Sequence, residues 1–164
     1  MDDAGLIVRR GTSVEWERLK AIRLESLGDT PEAYGSTYDD AVTWPDERWR
    51  SVANQWTYWL GERNGRVVGM VSGGLNDHHP GTRWMYGMYV TPGERGTDVA
   101  TRLVDEVSQW ARGEGATSLY LHVTSTVARA RAFYEKVGFV LTGDVIVMDR
   151  DPSLRLVTMV RDLG

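Results

Sequence analysis

Met88-Tyr89-Val90-Thr91-Pro92-Gly93-Glu94-Arg95-Gly96-Thr97-Asp98-Val99-Ala100 is the stretch that decides the fold. Trp84 to Thr91 reads as a strand and ends at Pro92, which has no N–H to give a ladder. From Gly96 to Arg112 the period becomes helical, with Val99, Leu103, Val107 and Trp110 on one stripe and Ala100, Val104 and Ala111 beside it. Gly113 and Gly115 end that helix. Leu119 to Thr124 then alternates Leu119, Leu121 and Val123 against Tyr120, His122 and Thr124, a second strand. Strand, helix and strand in this order form a right-handed crossover, whose first turn is the natural ligand site. The first N–H groups of the helix lack internal partners and carry the positive end of its dipole, which suits a phosphate. Gly96 lets backbone approach closely, and Arg95, Thr97 and Thr101 can add donors. An ordinary capped helix behind a glycine turn fits the same residues.

Outward from this unit, Leu6-Ile7-Val8 reads as a short first strand. Thr12 or Ser13 caps a helix to about Leu27, with Trp16, Leu19, Ile22 (or the stem of Arg23), Leu24 and Leu27 on its apolar face. Gly28-Asp29-Thr30-Pro31 stops it, and Glu32 to Thr43 is a functional loop or a broken helix. Pro45, Asp46 and Glu47 open another helix to about Asn54. Trp56 to Glu62 and Arg66 to Gly74 are strands joined by a hairpin at Arg63-Asn64-Gly65. A helix from about Val127 to Val137 stops at Gly138, and Phe139 to Thr142 with Leu156 to Val160 close the sheet. The order β-α-α-β-β-β-α-β-α-β-β predicts one α/β domain spanning residues 1–164. Its sheet is mixed, mostly antiparallel and twisted, with helices on both faces.

The composition narrows the function. The 164 residues contain no cysteine, which excludes disulfides, thiolate metal sites and a cysteine nucleophile. A net charge of −4 argues against general nucleic-acid binding. No apolar run approaches the roughly 20 residues that span a bilayer, and Met1-Asp2-Asp3 is acidic where a signal peptide is basic. A cytoplasmic protein without membrane partner is the expectation. His78-His79-Pro80 carries two divergent histidines with no third ligand at useful spacing, so no metal is expected. Trp44, Trp49, Trp56 and Trp59 either pack a core, the favoured reading, or line a substrate wall.

A second segment, Ala130-Arg131-Ala132-Phe133-Tyr134-Glu135-Lys136-Val137-Gly138-Phe139, places a tyrosine on the short helix after the second strand. The Val-x-Pro-x-x-Arg-Gly turn and the Phe-Tyr-x-Lys-x-Gly-Phe helix, about forty residues apart, together resemble the GNAT superfamily of N-acetyltransferases. Arg23-Leu24-Glu25-Ser26-Leu27 and Ala33-Tyr34-Gly35-Ser36 are similar to a bacterial branch of it. The resemblance implies an acyl-CoA fold with acetyl-CoA as cosubstrate. Its pyrophosphate would sit on Arg95, Gly96, Thr97, Asp98, Val99 and Ala100, with Thr101 adjoining. The pantetheine arm would lie along Met88, Tyr89 and Val90 like an added strand, and Phe133 and Lys136 complete the cofactor set. Tyr134 matches the family tyrosine that protonates or stabilises the departing thiolate, and a backbone N–H near Tyr89 would polarise the thioester carbonyl.

Three positions depart from the family pattern: Gly93, Asp98 and Val127. Asp98 suits the helix dipole, yet a carboxylate there would repel a pyrophosphate bound beside it. The stretch Trp84-Met85-Tyr86-Gly87 lacks the glutamate that many members use as base. An alkylammonium, with a reference pKa of about 10.4, must lose a proton before it attacks. His122, Glu25, Asp29 or a water relay could take that proton.

The resulting expectation is an enzyme that moves an acetyl group from acetyl-CoA to a primary amine by direct attack, without an acyl-enzyme. Net acidity favours a cationic small-molecule acceptor, with a peptide or protein amine as the other option. The acceptor wall is expected in the Leu27–Thr43 region with Trp56, Tyr58 or Tyr86. The family also allows a homodimer. The competing class is a non-catalytic module on the same fold, its cofactor site degraded at Asp98 and Val127. A nucleotide binder is disfavoured, because the turn lacks Gly-x-Gly-x-x-Gly and Gly-Lys-Ser/Thr.

Overall fold

The decisive strand, turn and helix become β4 (Arg83–Val90), a 3₁₀ turn (Pro92–Glu94) and α4 (Val99–Gly113) in the computed structural model, which describes residues 5–164. The acidic Met1-Asp2-Asp3 lies outside the described residues. The helix starts three residues later than its periodicity implied. Gly96 has φ +85°, a left-handed conformation that cannot begin a right-handed helix, so Gly96 and Thr97 stay in the turn and Asp98 becomes the N-cap.

Seven strands share one sheet. β1 (Leu6–Arg10), β2 (Thr57–Arg63), β3 (Arg66–Gly74), β4, β5 (Ser118–Thr124), β6 (Phe139–Met148) and β7 (Asp151–Asp162) run in the order β1-β2-β3-β4-β5-β7-β6. Every neighbouring pair is antiparallel except β4 with β5. The Asn64-Gly65 turn forms as expected, both residues at positive φ (54° and 79°), which matches the strand twist. The final hairpin is longer than the sequence reading. The strand expected to end at Thr142 continues to Met148, because a register shift between Leu141 and Val145 absorbs the intervening residues as a bulge, with Gly143 at φ +97°.

Helices cover both faces. On one, α4 buries Val99, Leu103, Val104 and Val107, and α5 (Ala128–Lys136) adds Tyr134, which packs with Phe139. Each aliphatic side chain so buried is worth about 1.5–3 kcal/mol of transfer free energy. Trp110 lies flat on Gly73, where a Cβ would stand 2.6 Å from its ring. On the other face, α1 (Trp16–Asp29) and α3 (Asp46–Gln55) bury Leu19, Ile22, Leu27 and Trp49 against Tyr58, Met70 and Tyr89. The stretch expected to be a loop or broken helix is a 3₁₀ turn (Pro31–Ala33) and a single helical turn, α2 (Tyr38–Ala41). The tryptophans divide between the two roles: Trp49 and Trp59 are core, Trp44 packs 4.9 Å from Trp49, and Trp56 stands at a cavity wall. No helix among the described residues is long and apolar enough to cross a membrane.

An ion cluster ties β1 to α1 and β2. Glu15 accepts from Arg9 and from the Thr12 amide, while Glu62 bridges Arg9 and Arg18. The Arg9 hydrogen bond is the main reason the Glu15 carboxyl falls from 4.5 to about 2. A carboxyl depressed on folding stabilises fully above its unfolded value, and the contribution is lost as pH falls from about 4.5 toward 2. Glu15→Gln is therefore expected to lower unfolding free energy at neutral pH by about 1–3 kcal/mol and to flatten the acid limb in that window. Urea unfolding followed by circular dichroism across that pH range measures both effects.

Candidate active site

β4 and β5 pair only at Arg83–Leu119 and Trp84–Tyr120, then part. The cause lies in β4 itself. Gly87 takes φ +62°, and the register against β3 shifts between Met70 and Ser72, so the strand bends toward β3 and away from β5. The Thr91 amide donates to Val68 O, so by the two-residue alternation of a strand the Tyr89 amide also faces β3. The peptide groups of Met88 and Val90 face the gap. Tyr34 Oη donates to Met88 O at 2.8 Å, and Arg95 Nε donates to Val90 O at 3.2 Å, from that open side.

The segment following α1 is stitched across the gap. Tyr34 holds β4, Thr124 of β5 donates to Glu32 O at 2.7 Å, and Arg150 of the β6–β7 hairpin donates to Tyr34 O and Pro31 O. Two cavities open on either side of this strap and share Tyr34, Met88, Val127, Ala130 and Tyr134 as walls. The first lies toward the Arg95–Gly96 turn. The second lies toward Arg23 and His122.

Seven of the residues expected to hold the cosubstrate line the first cavity, Met88, Tyr89, Val90, Arg95, Gly96, Ala100 and Phe133, and the expected acid Tyr134 lines it with them. Thr97, Asp98, Val99, Thr101 and Lys136 do not. Val99 is sealed in the core, Thr101 and Lys136 are exposed, and Thr97 Oγ1 donates to Glu94 O at 2.6 Å. Asp98 is half-buried at the N-cap without a side-chain cap bond. Arg95 is less available than its sequence position implied, since Nη2 donates to Asp29 Oδ2 at 2.6 Å. That arginine holds the Asp29 carboxyl below its ordinary value. The space around Gly96 is open, with nothing within 4 Å of where its Cβ would be. Arg129, which sequence reasoning missed, reaches the same cavity from the first turn of α5. Its spacing of four from Phe133 placed it on the facing side of that helix.

Glu25 and Asp29 turn out not to be placed as bases. Both meet the Tyr89 hydroxyl, at 2.8 Å and 3.2 Å, and line neither cavity of the gap. Tyr58 is likewise no acceptor wall. It is fully buried and donates to Thr12 O at 2.6 Å. Trp56 and Tyr86 do line cavity walls near Arg23.

Tyr134 sits where the two cavities meet. Its hydroxyl makes no hydrogen bond with any described residue, and burial raises its pKa, so it carries its proton at neutral pH. His122 lines the second cavity, with Nδ1 3.1 Å from Thr158 Oγ1 and its ring 4.6 Å from Trp84. Burial lowers its pKa below 6.5, which leaves the ring neutral near pH 7. Protonated tyrosine and neutral histidine thus border one space. One can give a proton while the other takes one.

The family model described as Acetyltransferase (GNAT) family matches residues 17–139. A mycothiol acetyltransferase from Beutenbergia cavernae is 28% identical over 129 residues, covering 79% of this chain and 42% of that protein. The chain spans about two fifths of the length of the curated relatives it matches. An acetyltransferase of the GNAT family from Streptococcus pneumoniae superposes with a TM-score of 0.77 at 17% identity, covering 97% of this chain and 99% of that one. A Salmonella typhimurium structure described with its cofactor acetyl-CoA gives a TM-score of 0.71 at 19% identity, covering 98% and 95%.

Tyr34→Phe removes one hydrogen bond between the strap and β4, an expected loss of about 1 kcal/mol. Because Met88 O then faces the gap without its donor, amide hydrogen exchange over Met88 to Val90 should quicken more than exchange in α4. Native-state exchange resolved by residue measures the difference.

Proposed function

The chain belongs to the acetyltransferase (GNAT) family, and we propose that its split sheet carries an acetyl group from acetyl-CoA to a primary amine by direct attack. One observation carries this reading: the unpartnered, protonated hydroxyl of Tyr134 at the junction of the two cavities. The residues present fit the cosubstrate. Met88 and Val90 offer backbone donors and acceptors along an edge that β5 leaves open, as an amide-bearing chain needs. The open Gly96 turn, the amides at the start of α4 and the exposed Arg129 suit its phosphates. Bound there, acetyl-CoA supplies the acetyl group as a thioester and leaves as a thiol.

His122 takes a proton from the acceptor ammonium. With Nδ1–H donated to Thr158 Oγ1, the lone pair of Nε2 is the basic one. Among the side chains lining the second cavity, His122 is the one with a free lone pair near neutral pH; Arg23 is a cation, and the tyrosines there keep their protons. With the thioester bound, the freed amine nitrogen would bond to the acetyl carbon as the carbon–sulfur bond breaks; Tyr134 would give its proton to the departing sulfur, and the second proton shed by the nitrogen would restore the phenol. The gap-facing amides of Met88 and Val90 stand where a carbonyl oxygen can be stabilised. The volume of about 270 Å³ on the acceptor side suits a small molecule.

A second reading, a non-catalytic binding module, draws on the internal commitment of Arg95 and Thr97 and on Asp98 at the α4 terminus. Calorimetric titration with acetyl-CoA, alongside Asp98→Gly, separates the two. Binding by the unaltered chain supports the enzyme, and binding only after the substitution supports the module. For the enzyme, Tyr134→Phe is expected to lower kcat by about 10²-fold or more with acetyl-CoA affinity unchanged. Activity should fall as pH drops below the lowered His122 pKa, since protonation removes the base. In His122→Gln that acid limb of the kcat/KM profile should vanish.

A further inference from the structure

Arg23 leaves α1 and passes beneath the strap. Its guanidinium carbon lies 4.9 Å from the Tyr34 ring centroid and 6.0 Å from that of Trp56. Nη1 is sealed from water against β4, where a Cβ on Gly87 would stand 3.5 Å away, and it has no hydrogen-bond partner. The Arg23 side chain forms no hydrogen bond or ion pair with any described residue, and no carboxylate lines the second cavity. The adjoining cavity is cationic too. Arg10, Arg23 and Arg83 line it against one acid, Glu114, which pairs with Arg83 at 3.6 Å, and Arg83 Nε is also buried without a partner.

This arrangement is costly unless something completes it. A guanidinium keeps its charge at any pH at which the chain folds, and burial works against that charge. Aromatic faces satisfy part of the electrostatics and none of the N–H donors. Elsewhere in this chain buried or half-buried arginines meet acids: Arg9 with Glu15, Arg63 with Glu94, Arg95 with Asp29. At Arg23 the acid is missing from the protein, and the residue stands in the cavity shared with Tyr134 and His122.

We propose that Arg23 binds a carboxylate of the acceptor, so that the molecule acetylated is a small amino carboxylate. The planar fork of the guanidinium matches the two carboxylate oxygens. The amine end of the same molecule then reaches His122 and Tyr134 within one cavity. Net charge alone pointed to a cationic acceptor; the local field at Arg23 makes it a zwitterion. The naming of the reacting end rests on the acetyl-transfer reading, and the anion site does not.

The test uses the full chain and two kinds of probe. N-acetylglycine, N-acetylmethionine and N-acetylphenylalanine are titrated against their N-methylamides, followed by calorimetry and by NMR. Transfer from acetyl-CoA is then compared for the free amino acids and their amides. Carboxylates are expected to bind about tenfold or more tightly than amides, and Arg23→Met to abolish the difference. Arg23→Lys should keep part of it. Because Arg23 has no protein partner, Arg23→Met should leave the thermal midpoint unchanged or raised and acetyl-CoA affinity unchanged, which a structural arginine would not. Equal binding of amides, no binding of any carboxylate, or a carboxylate preference that survives Arg23→Met would overturn the inference. Carboxylate binding lost in Arg23→Met without any transfer would uphold it and overturn the enzyme reading. Transfer to neutral amines alone would do the reverse.

Discussion

A parallel strand pair that stops after two residues governs this structure. β4 cannot follow β3 through its bend at Gly87 and also stay within hydrogen-bonding reach of β5, which is held straight by seven consecutive partners on β7. The sheet therefore opens between them. Everything chemically notable borders the opening: the gap-facing peptide groups of Met88 and Val90, the buried hydroxyl of Tyr134, the neutral ring of His122 and the unpaired guanidinium of Arg23. The opening does not collapse because a strap fills its mouth and is bonded to both lips. Polar backbone that would otherwise be orphaned finds a partner in Tyr34, and the remainder is left for a ligand.

The charges follow a related division. Where arginines support the fold they are paired, and the Arg95–Asp29 pair with the Tyr89 hydroxyl also fixes the turn against β4 and α1. That pairing withdraws Arg95, Asp29 and Glu25 from the roles their sequence positions allow and makes them a frame for the cavity. Arg23 and Arg129 line the cleft without such a pairing among the described residues. They stand at opposite ends of the cleft.

Much of this was legible in the chain. The stripe of α4, the Asn64-Gly65 hairpin, the crossover and the pairing of the Arg95–Gly96 turn with the Tyr134 helix all follow from local periodicity and turn chemistry, which neighbours reinforce. The residues that sequence reading missed are set by tertiary geometry. Gly87 looks like any glycine in a strand until β5 fails to follow it. Arg23 occupies a position on α1 where its stem passes for part of the apolar face, and only the absence of an acid around its head distinguishes it. Tyr34 lies in a segment without period, and its function comes from reaching a strand far away in sequence. Thr97 and Lys136 show the opposite failure. They match a motif, but one hydroxyl turns back on its own turn and one amine lies out in solvent.

The strap over the gap has a consequence for the chain's behaviour among other proteins. Unpaired strand edges recruit foreign strands, and natural sheets shield their rims with charges, bulges or short strands. Here the rim strand β6 carries such a bulge at Gly143 despite its exposed Val140, Val145 and Ile146. The exposed edge of β4 is a different case, because it lies inside the sheet, roofed by α5 and by the Pro31–Tyr34 strap. A foreign strand approaching that edge would meet the roof first. The molecule thus keeps its adhesive backbone in the interior of the sheet and under cover, where neighbours in a crowded solution do not reach it, and leaves only bulged or charged strands at the rim.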